Sequence, residues 1–233
     1  NSFDAVHDQI ADVRRILSGM GLNEAQGQTL VSDAAAKLVV PAECLVMLAN
    51  PLSSEMNALR PSLLPGLVDS LRHNVSHKNY DVALFEVGRG FQRAVGVSPS
   101  DQKKKQSRQQ DADSTLKEER RVAVALTGQR LPTFWAGSER DAKFDLSDLK
   151  GFVEELLEQF GVRGVSYAKR AESTAFFLES ATIHLGKQPL GEMGLLLPTL
   201  AKKNDLRDAV LLVELNLDLL IARRASGKSF KPL

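Results

Sequence analysis

The 233-residue chain is 43% hydrophobic and 25% charged, and its 30 Lys+Arg nearly cancel its 29 Asp+Glu, leaving a formal charge of +1. This is the profile of a soluble globular protein able to bury a core. It excludes a disordered charged tail and argues against nonspecific nucleic-acid binding by the whole surface, though not against a local basic patch. The single cysteine, Cys44, excludes an internal disulfide and any zinc site built on cysteine pairs. The longest apolar runs, such as Ala209 to Val213, fall far short of the roughly 18 residues of a membrane helix, so no membrane contact is expected, and the lone cysteine fits a reducing compartment such as the cytoplasm. The first segment alternates charge with apolar residues, unlike a signal peptide. Asn1 and the tail Lys231-Pro232-Leu233 read as the cut ends of a longer protein.

From Phe3 to Ser18 the residues Val6, Ile10, Val13 and Leu17 recur at helical spacing, and Gly19 and Gly21 follow where a helix would stop. Thr29 to Val31 and Leu45 to Leu48 have the length and composition of short strands, and Asn50-Pro51 marks a turn. A second helix is predicted over Pro61 to Asn74, with Leu63, Leu64, Leu67 and Leu71 on one face and both Pro61 and Pro65 near its start. Tyr80 to Phe91 alternates as a strand, placing Glu86 on a partly buried face. Ser98 to Arg120 holds one large aliphatic, Leu116, and no aromatic, so it predicts a mobile hairpin loop with its returning strand at Arg121 to Thr127. Asp145 caps the clearest helix, whose stripe Leu146, Leu149, Phe152, Val153, Leu156, Leu157 and Phe160 stops at Gly161. Short strands follow at Val165 to Ala168, Ala175 to Leu178, Ala181 to Leu185 and Val210 to Leu217, with Gly186, Gly191 and Gly194 as punctuation. Helices segregated from consecutive strands predict an α+β fold with a largely antiparallel sheet.

Several motifs are weak. Ala222 to Ser229 reads Ala-x-x-x-x-Gly-Lys-Ser, but Phe230 to Leu233 leaves no room for the helix whose amides would hold a phosphate. His73 and His77 lie one helical turn apart without a metalloprotease glutamate, which predicts a solvated helix end and no metal. His7 and His184 have no sequence neighbour that suggests a site, and no Gly-x-Ser-x-Gly elbow occurs. Gly19-x-Gly21 and Gly88-x-Gly90 lack the third glycine of a dinucleotide fingerprint. Lys103-Lys104-Lys105 with Arg108 could touch RNA phosphates, but no aromatic is interleaved and Asp111, Asp113, Glu118 and Glu119 dilute the charge.

A different signal comes from the order Asn50-Pro51-Leu52-Ser53-Ser54, Leu59-Arg60-Pro61-Ser62-Leu63-Leu64-Pro65-Gly66-Leu67, Asn74, and Leu84-Phe85-Glu86-Val87-Gly88-Arg89-Gly90-Phe91. Leu126-Thr127-Gly128 then precedes Trp135, followed by Phe144-Asp145-Leu146-Ser147-Asp148-Leu149-Lys150-Gly151, Leu190-Gly191-Glu192-Met193-Gly194 and Glu214-Leu215-Asn216-Leu217. Together these resemble the catalytic-like core of the bacterial phenylalanine–tRNA ligase beta subunits, over most of the chain. The resemblance implies a class II aminoacyl-tRNA synthetase-like antiparallel sheet flanked by helices, as one core domain without the editing and anticodon-binding domains. It also implies that the reaction takes place in the alpha subunit, in an (αβ)2 assembly whose beta core packs against the alpha catalytic domain. ATP, magnesium and tRNA(Phe) then belong to the whole enzyme, and this domain binds no cofactor of its own.

Active class II sites carry an arginine on the second motif that meets the ATP phosphates, because a guanidinium offers paired donors. Against Gly88-Arg89-Gly90-Phe91 that place falls on Gln92, or on Arg93 if the match slips by one. The third motif should be a glycine-rich strand-to-helix turn, and Val213-Glu214-Leu215-Asn216-Leu217-Asp218 lacks the glycines. The resemblance therefore implies no catalytic residue here. The matched positions are expected to be structural or to serve the subunit interface. Asn50, Pro51 and Pro65 shape turns; Leu63 and Leu64 begin a buried helix face. Arg60 and Glu86 are core-adjacent polar groups needing partners such as each other. Gly88 and Arg89 lie on the strand, Asp148 favours a helix dipole, Lys150 points outward toward a subunit interface, and Gly151 beside it is a further structural or interface candidate. Two departures from the family pattern, Leu197-Pro198 in place of His-Pro and no Pro-Gly ahead of Ser180-Ala181, bear on a surface and not on the fold. The rival readings are an active class II adenylate-forming domain and an RNA-binding module built on Lys103 to Arg108.

Overall fold

The spacing of Val13 and Leu17 buries one side of α1 (Ala5–Gly19), in a computed structural model that describes residues 5–94, 116–131 and 141–225. The chain divides into two compact units, one made of Asn1–Gly27, Leu63–Gly88 and Arg120–Leu233, the other of Gln28–Ser62 and Arg89–Glu119.

The first unit is built on a seven-stranded sheet, ordered β1-β5-β6-β10-β9-β8-β7. Its strands are β1 (Asn23–Glu24), β5 (Val82–Arg93), β6 (Leu116–Thr127), β7 (Val165–Lys169), β8 (Phe177–Leu185), β9 (Gln188–Leu196) and β10 (Val210–Asn216). The chain passes into the second unit along β5, after Gly88, and comes back along β6 at Arg120. β1 adds in parallel to β5, through Asn23↔Leu84 and Glu24↔Phe85, whereas β6–β10, β10–β9, β9–β8 and β8–β7 are antiparallel. The α+β class with a largely antiparallel sheet, expected from the sequence, is the one observed.

One face of this sheet is apolar. Phe85, Val122, Val124, Ile183, Met193, Val213 and Leu215 share a core with Val13 and Leu17 of α1, with Leu149, Val153, Leu156 and Leu157 of α4 (Leu146–Gln159), and with Leu217, Leu220 and Ile221 of α6 (Leu217–Ala225). At about 2–5 kcal/mol for each buried leucine truncated to alanine, this cluster is the main source of stability. Asp145 caps α4, accepting from the Ser147 and Asp148 amides while Asp148 accepts from the Asp145 amide, a reciprocal capping box. Gly161, at φ +78°, ends the helix in a conformation that a side chain would resist. Across the sheet, α3 (Leu64–Ser76) lies against β10 and buries Leu64, Leu67, Val68 and Leu71.

The second unit holds a small sheet ordered β2-β4-β3, from β2 (Leu30–Val31), β3 (Val46–Met47) and β4 (Ala58–Leu59), with the short α2 (Asp33–Ala36) capped by Ser32. Its interior includes Ala36, Cys44, Leu45 and Ala58.

Several elements depart from expectation. The second helix starts at Leu64, so Pro65 occupies its first turn and Pro61 precedes it. The expected strands at 175–178 and 181–185 are one strand, β8, whose register shifts between Phe177 and Glu179. The glycine-punctuated stretch at 188–196 is itself β9. Its glycines permit close strand approach: a Cβ on Gly191 would lie 2.0 Å from the Glu214 carbonyl oxygen, and one on Gly194 2.4 Å from that of Glu179. The returning strand begins at Leu116 instead of Arg121, with 95–115 outside the described residues. Leu217 opens α6 instead of closing β10, and α5 (Pro198–Lys203) was not foreseen.

Candidate functional site

Alternation along the strands puts a second set of side chains on the face opposite the large core. Because Phe85, Val124, Val213 and Met193 face that core, Glu86, Ala123, Glu214 and Glu192 face the other way, with Glu214 directly across from both Ala123 and Glu192. Arg121, two residues before Ala123, shares this face. The charges on this face decide what chemistry it can offer.

Glu214 is the centre. Its Oε2 accepts from Arg121 Nη1 at 2.5 Å and its Oε1 accepts from the Leu63 amide at 2.6 Å, with the two side chains only 15% and 8% exposed for Arg121 and Glu214 respectively. The second of these bonds holds the entry to α3, where Leu63 offers no side-chain cap. On the next strand Glu192 accepts from Arg170 Nη2 at 3.0 Å. Burial pushes the Glu192 carboxyl above its ordinary range, Arg170 opposes that shift, and the Glu214 charge opposite adds to it. Within β6, Arg120 binds Asp218 through its guanidinium at 2.9 Å and its amide at 2.8 Å. Asn216 caps α6 by accepting from the Leu219 amide. The Ser180 hydroxyl is buried on the same face without a partner among the described residues.

This arrangement does not fit a nucleotide triphosphate. Phosphate binding needs cations whose donors are available, and Arg120, Arg121 and Arg170 each meet a carboxylate of the same unit. The strand-to-helix turn Glu214-Leu215-Asn216-Leu217 spends its polar groups on α3, Arg121 and α6. In the second unit Gln92 donates to the Pro61 carbonyl at 3.2 Å, and Arg93 is exposed at the end of β5. The chemistry available here is structural: buried ion pairs that fix strand neighbours and the start of a helix.

The matched residues do not gather into one site. In the second unit Asn50 and Pro51 are exposed on the loop after β3; Arg60 is buried and donates from Nε to the Arg89 carbonyl at 3.0 Å. Arg89 is exposed and paired with Glu118. In the first unit Leu63, Leu64 and Pro65 open α3, Glu86 is buried on β5, and Gly88 follows it. Asp148, Lys150 and Gly151 lie on α4, which packs on the opposite face. Asp148 accepts from Arg130 as well as capping, and Lys150 lies 5.1 Å over the Tyr167 ring and 3.4 Å from Glu154. Gly151 is exposed, and a Cβ there would meet nothing within 4 Å. Arg121, Arg170 and Glu192 escaped sequence reasoning as a set. The available signal was a lone glutamate inside each apolar strand, in Val-Leu-Leu-Val-Glu-Leu and Leu-Gly-Glu-Met-Gly-Leu, since a buried carboxylate demands a partner.

His73 and His77 are exposed at the end of α3 with ring centroids 4.4 Å apart. Among the described residues no group of three or more His, Cys, Asp or Glu is placed to hold a metal ion, and no helix is long and apolar enough to cross a membrane. Lys103 to Arg108, Trp135 and the Gly227-Lys228-Ser229 end of the phosphate-loop match lie outside the described residues.

Residues 3–217 match the family model described as the phenylalanyl tRNA synthetase beta chain CLM domain. The phenylalanine–tRNA ligase beta subunit of Novosphingobium aromaticivorans is 34% identical over 223 residues, covering 94% of this chain and 26% of that protein. That of Lactiplantibacillus plantarum is 31% identical over 228 residues, covering 96% of this chain and 26% of that protein. The chain thus spans about a quarter of the length of these curated relatives. In fold it is similar to the crystal structure of pyrrolysyl-tRNA synthetase from Desulfitobacterium hafniense, with a TM-score of 0.68 at 16% identity over 98% of this chain and 75% of that one.

Proposed function

The chain belongs to the phenylalanyl-tRNA synthetase beta chain CLM domain family, and on that premise we propose that it is a noncatalytic, synthetase-like core that packs against the catalytic alpha subunit. The assembly is an (αβ)2 phenylalanine–tRNA ligase, cytoplasmic, that joins phenylalanine to tRNA(Phe) using ATP and magnesium. Both compact units form one core domain, and the editing and anticodon-binding domains lie elsewhere in the longer subunit.

The observation that carries the noncatalytic role is the Arg121–Glu214 pair. It commits a sheet-face cation to a carboxylate that is tied to the Leu63 amide as well, so that cation is withheld from phosphate. Removing one such cation from phosphate contact forfeits electrostatic stabilisation of the kind that typically supplies several kcal/mol to a transition state. A face built of mutually neutralised charges serves rigidity instead. The exposed matched residues Asn50, Pro51, Lys150 and Gly151 are the candidates for subunit contact. At Gly151 a helical glycine with open space above it costs about 1 kcal/mol relative to alanine and gains nothing from its own chain. Close approach of a partner would give that glycine a purpose.

Light-scattering mass of the whole beta subunit, alone and mixed with its alpha subunit, tests the assembly role. A mixed species of (αβ)2 mass is expected. Separate elution of the two proteins at micromolar concentration would refute it.

A further inference from the structure

The last turn of α3, the segment that follows it, and the α5–β10 connection enclose an open cleft of about 1180 Å³ in the first unit. Five potential cations line it: Arg72 and His73 from α3, Lys78 just beyond, Lys202 from α5, and Arg207 from the connection, with the half-exposed ring of Tyr80 among them. Two acids also line it, Asp205 and Asp208, and Asp208 is bound to Lys143. Arg72 has Asp69 at 3.3 Å. Lys78, Lys202 and Arg207 are exposed, and among the described residues none of them has a carboxylate partner.

We propose that this cleft is an RNA-backbone contact, taking the phosphodiester chain of a tRNA along Lys78, Lys202 and Arg207. Cations in the last turn of a helix complement its dipole, and that accounts for His73 in α3 and for Lys202 in α5. It does not account for Arg207, which lies outside any helix, nor for three unpaired cations opening on one space. The cleft exceeds the roughly 300–1,000 Å³ of small-molecule sites and is open to solvent, as suits a polymer passing across it. Tyr80 offers a ring on which a base can stack, which an acidic peptide would not require. It contrasts with the paired arginines of the sheet face: here the charge is left available. The inference rests on the proposed synthetase role, through which tRNA reaches this domain.

The test uses the whole enzyme, wild type against a triple variant Lys78→Asn, Lys202→Gln, Arg207→Gln. Asparagine is chosen because residue 78 sits at φ 68°, a conformation that asparagine tolerates. Binding of unfractionated bacterial tRNA is followed against salt, together with tRNA-independent pyrophosphate exchange. Loss of three phosphate contacts should flatten the slope of log K against log salt by roughly 2 to 3 and leave exchange unchanged. The charge-preserving variant Lys78→Arg, Lys202→Arg, Arg207→Lys should keep the wild-type slope. An unchanged slope in the triple variant overturns the cleft, and so does an unchanged slope accompanied by weakened binding of the alpha subunit, which would assign the cations to an acidic protein surface. Absence of exchange in the wild-type enzyme would instead overturn the synthetase role itself.

Discussion

Replacing Glu214 by alanine removes the acceptor shared by the Leu63 amide and the Arg121 guanidinium, at 2.6 and 2.5 Å. Arg121 is then left as a largely buried charge, and breaking such a pair from one side typically costs about 3–5 kcal/mol. The stranded Leu63 amide adds about 1–3 kcal/mol if water cannot reach it, although the two contributions overlap and do not sum. An expected loss of about 4 kcal/mol is a large share of a typical domain's stability. The companion variant Arg121→Met in the Glu214→Leu background replaces both charges by apolar groups and should recover the part of that loss that comes from the stranded Arg121 charge, leaving only the cost of the unmet Leu63 amide. Urea unfolding measures each variant, with the midpoint shift converted at constant m-value. A loss below about 1 kcal/mol in Glu214→Ala, or a double variant no better than the single one, would refute the buried-pair account.

Asp145→Ala should cost about 0.5–2 kcal/mol through loss of the α4 cap. The Asp148 amide, foremost, holds the Asp145 carboxyl below its ordinary 3.8, so the gap between wild type and variant should be full above that pH and close as pH falls through the folded value, in unfolding curves taken across the acid range. Glu192 has the opposite sign. Burial raises its folded pKa above 4.5, so the native state binds the extra proton and stability should fall as pH rises through that window; Glu192→Gln should abolish this fall in the same measurement. Gly191→Ala drives a Cβ into the Glu214 carbonyl and should cost about 1–3 kcal/mol or more by thermal unfolding, whereas Gly151→Ala, with open space above it, should stabilise the isolated chain by about 1 kcal/mol.

Local signals were legible where one residue spacing sufficed. Val13 and Leu17 announced α1, the stripe from Leu149 to Phe160 with Asp145 in front announced α4, and the alternation around Phe85 announced β5. β9 was not, because Gly191 and Gly194 look like turn residues until β10 and β8 lie within a Cβ of them. The helices α5 and α6 are only six and nine residues long, too short for a periodic stripe to declare itself. The order of family motifs carried the fold class and the family. The charged face was hidden because its central contacts join residues far apart in sequence, Arg121 to Glu214 and Leu63 to Glu214, through a register that sequence alone does not specify.

The proposed role is to help assemble the enzyme without performing its chemistry. ATP–pyrophosphate exchange driven by phenylalanine, measured on the whole beta subunit alone and again after adding the alpha subunit, tests it most directly. No exchange by beta alone and activity on mixing is the expected result. Exchange by the beta subunit in the absence of alpha would contradict the account, since it would require phosphate-binding cations on a face where Arg121 is held by Glu214.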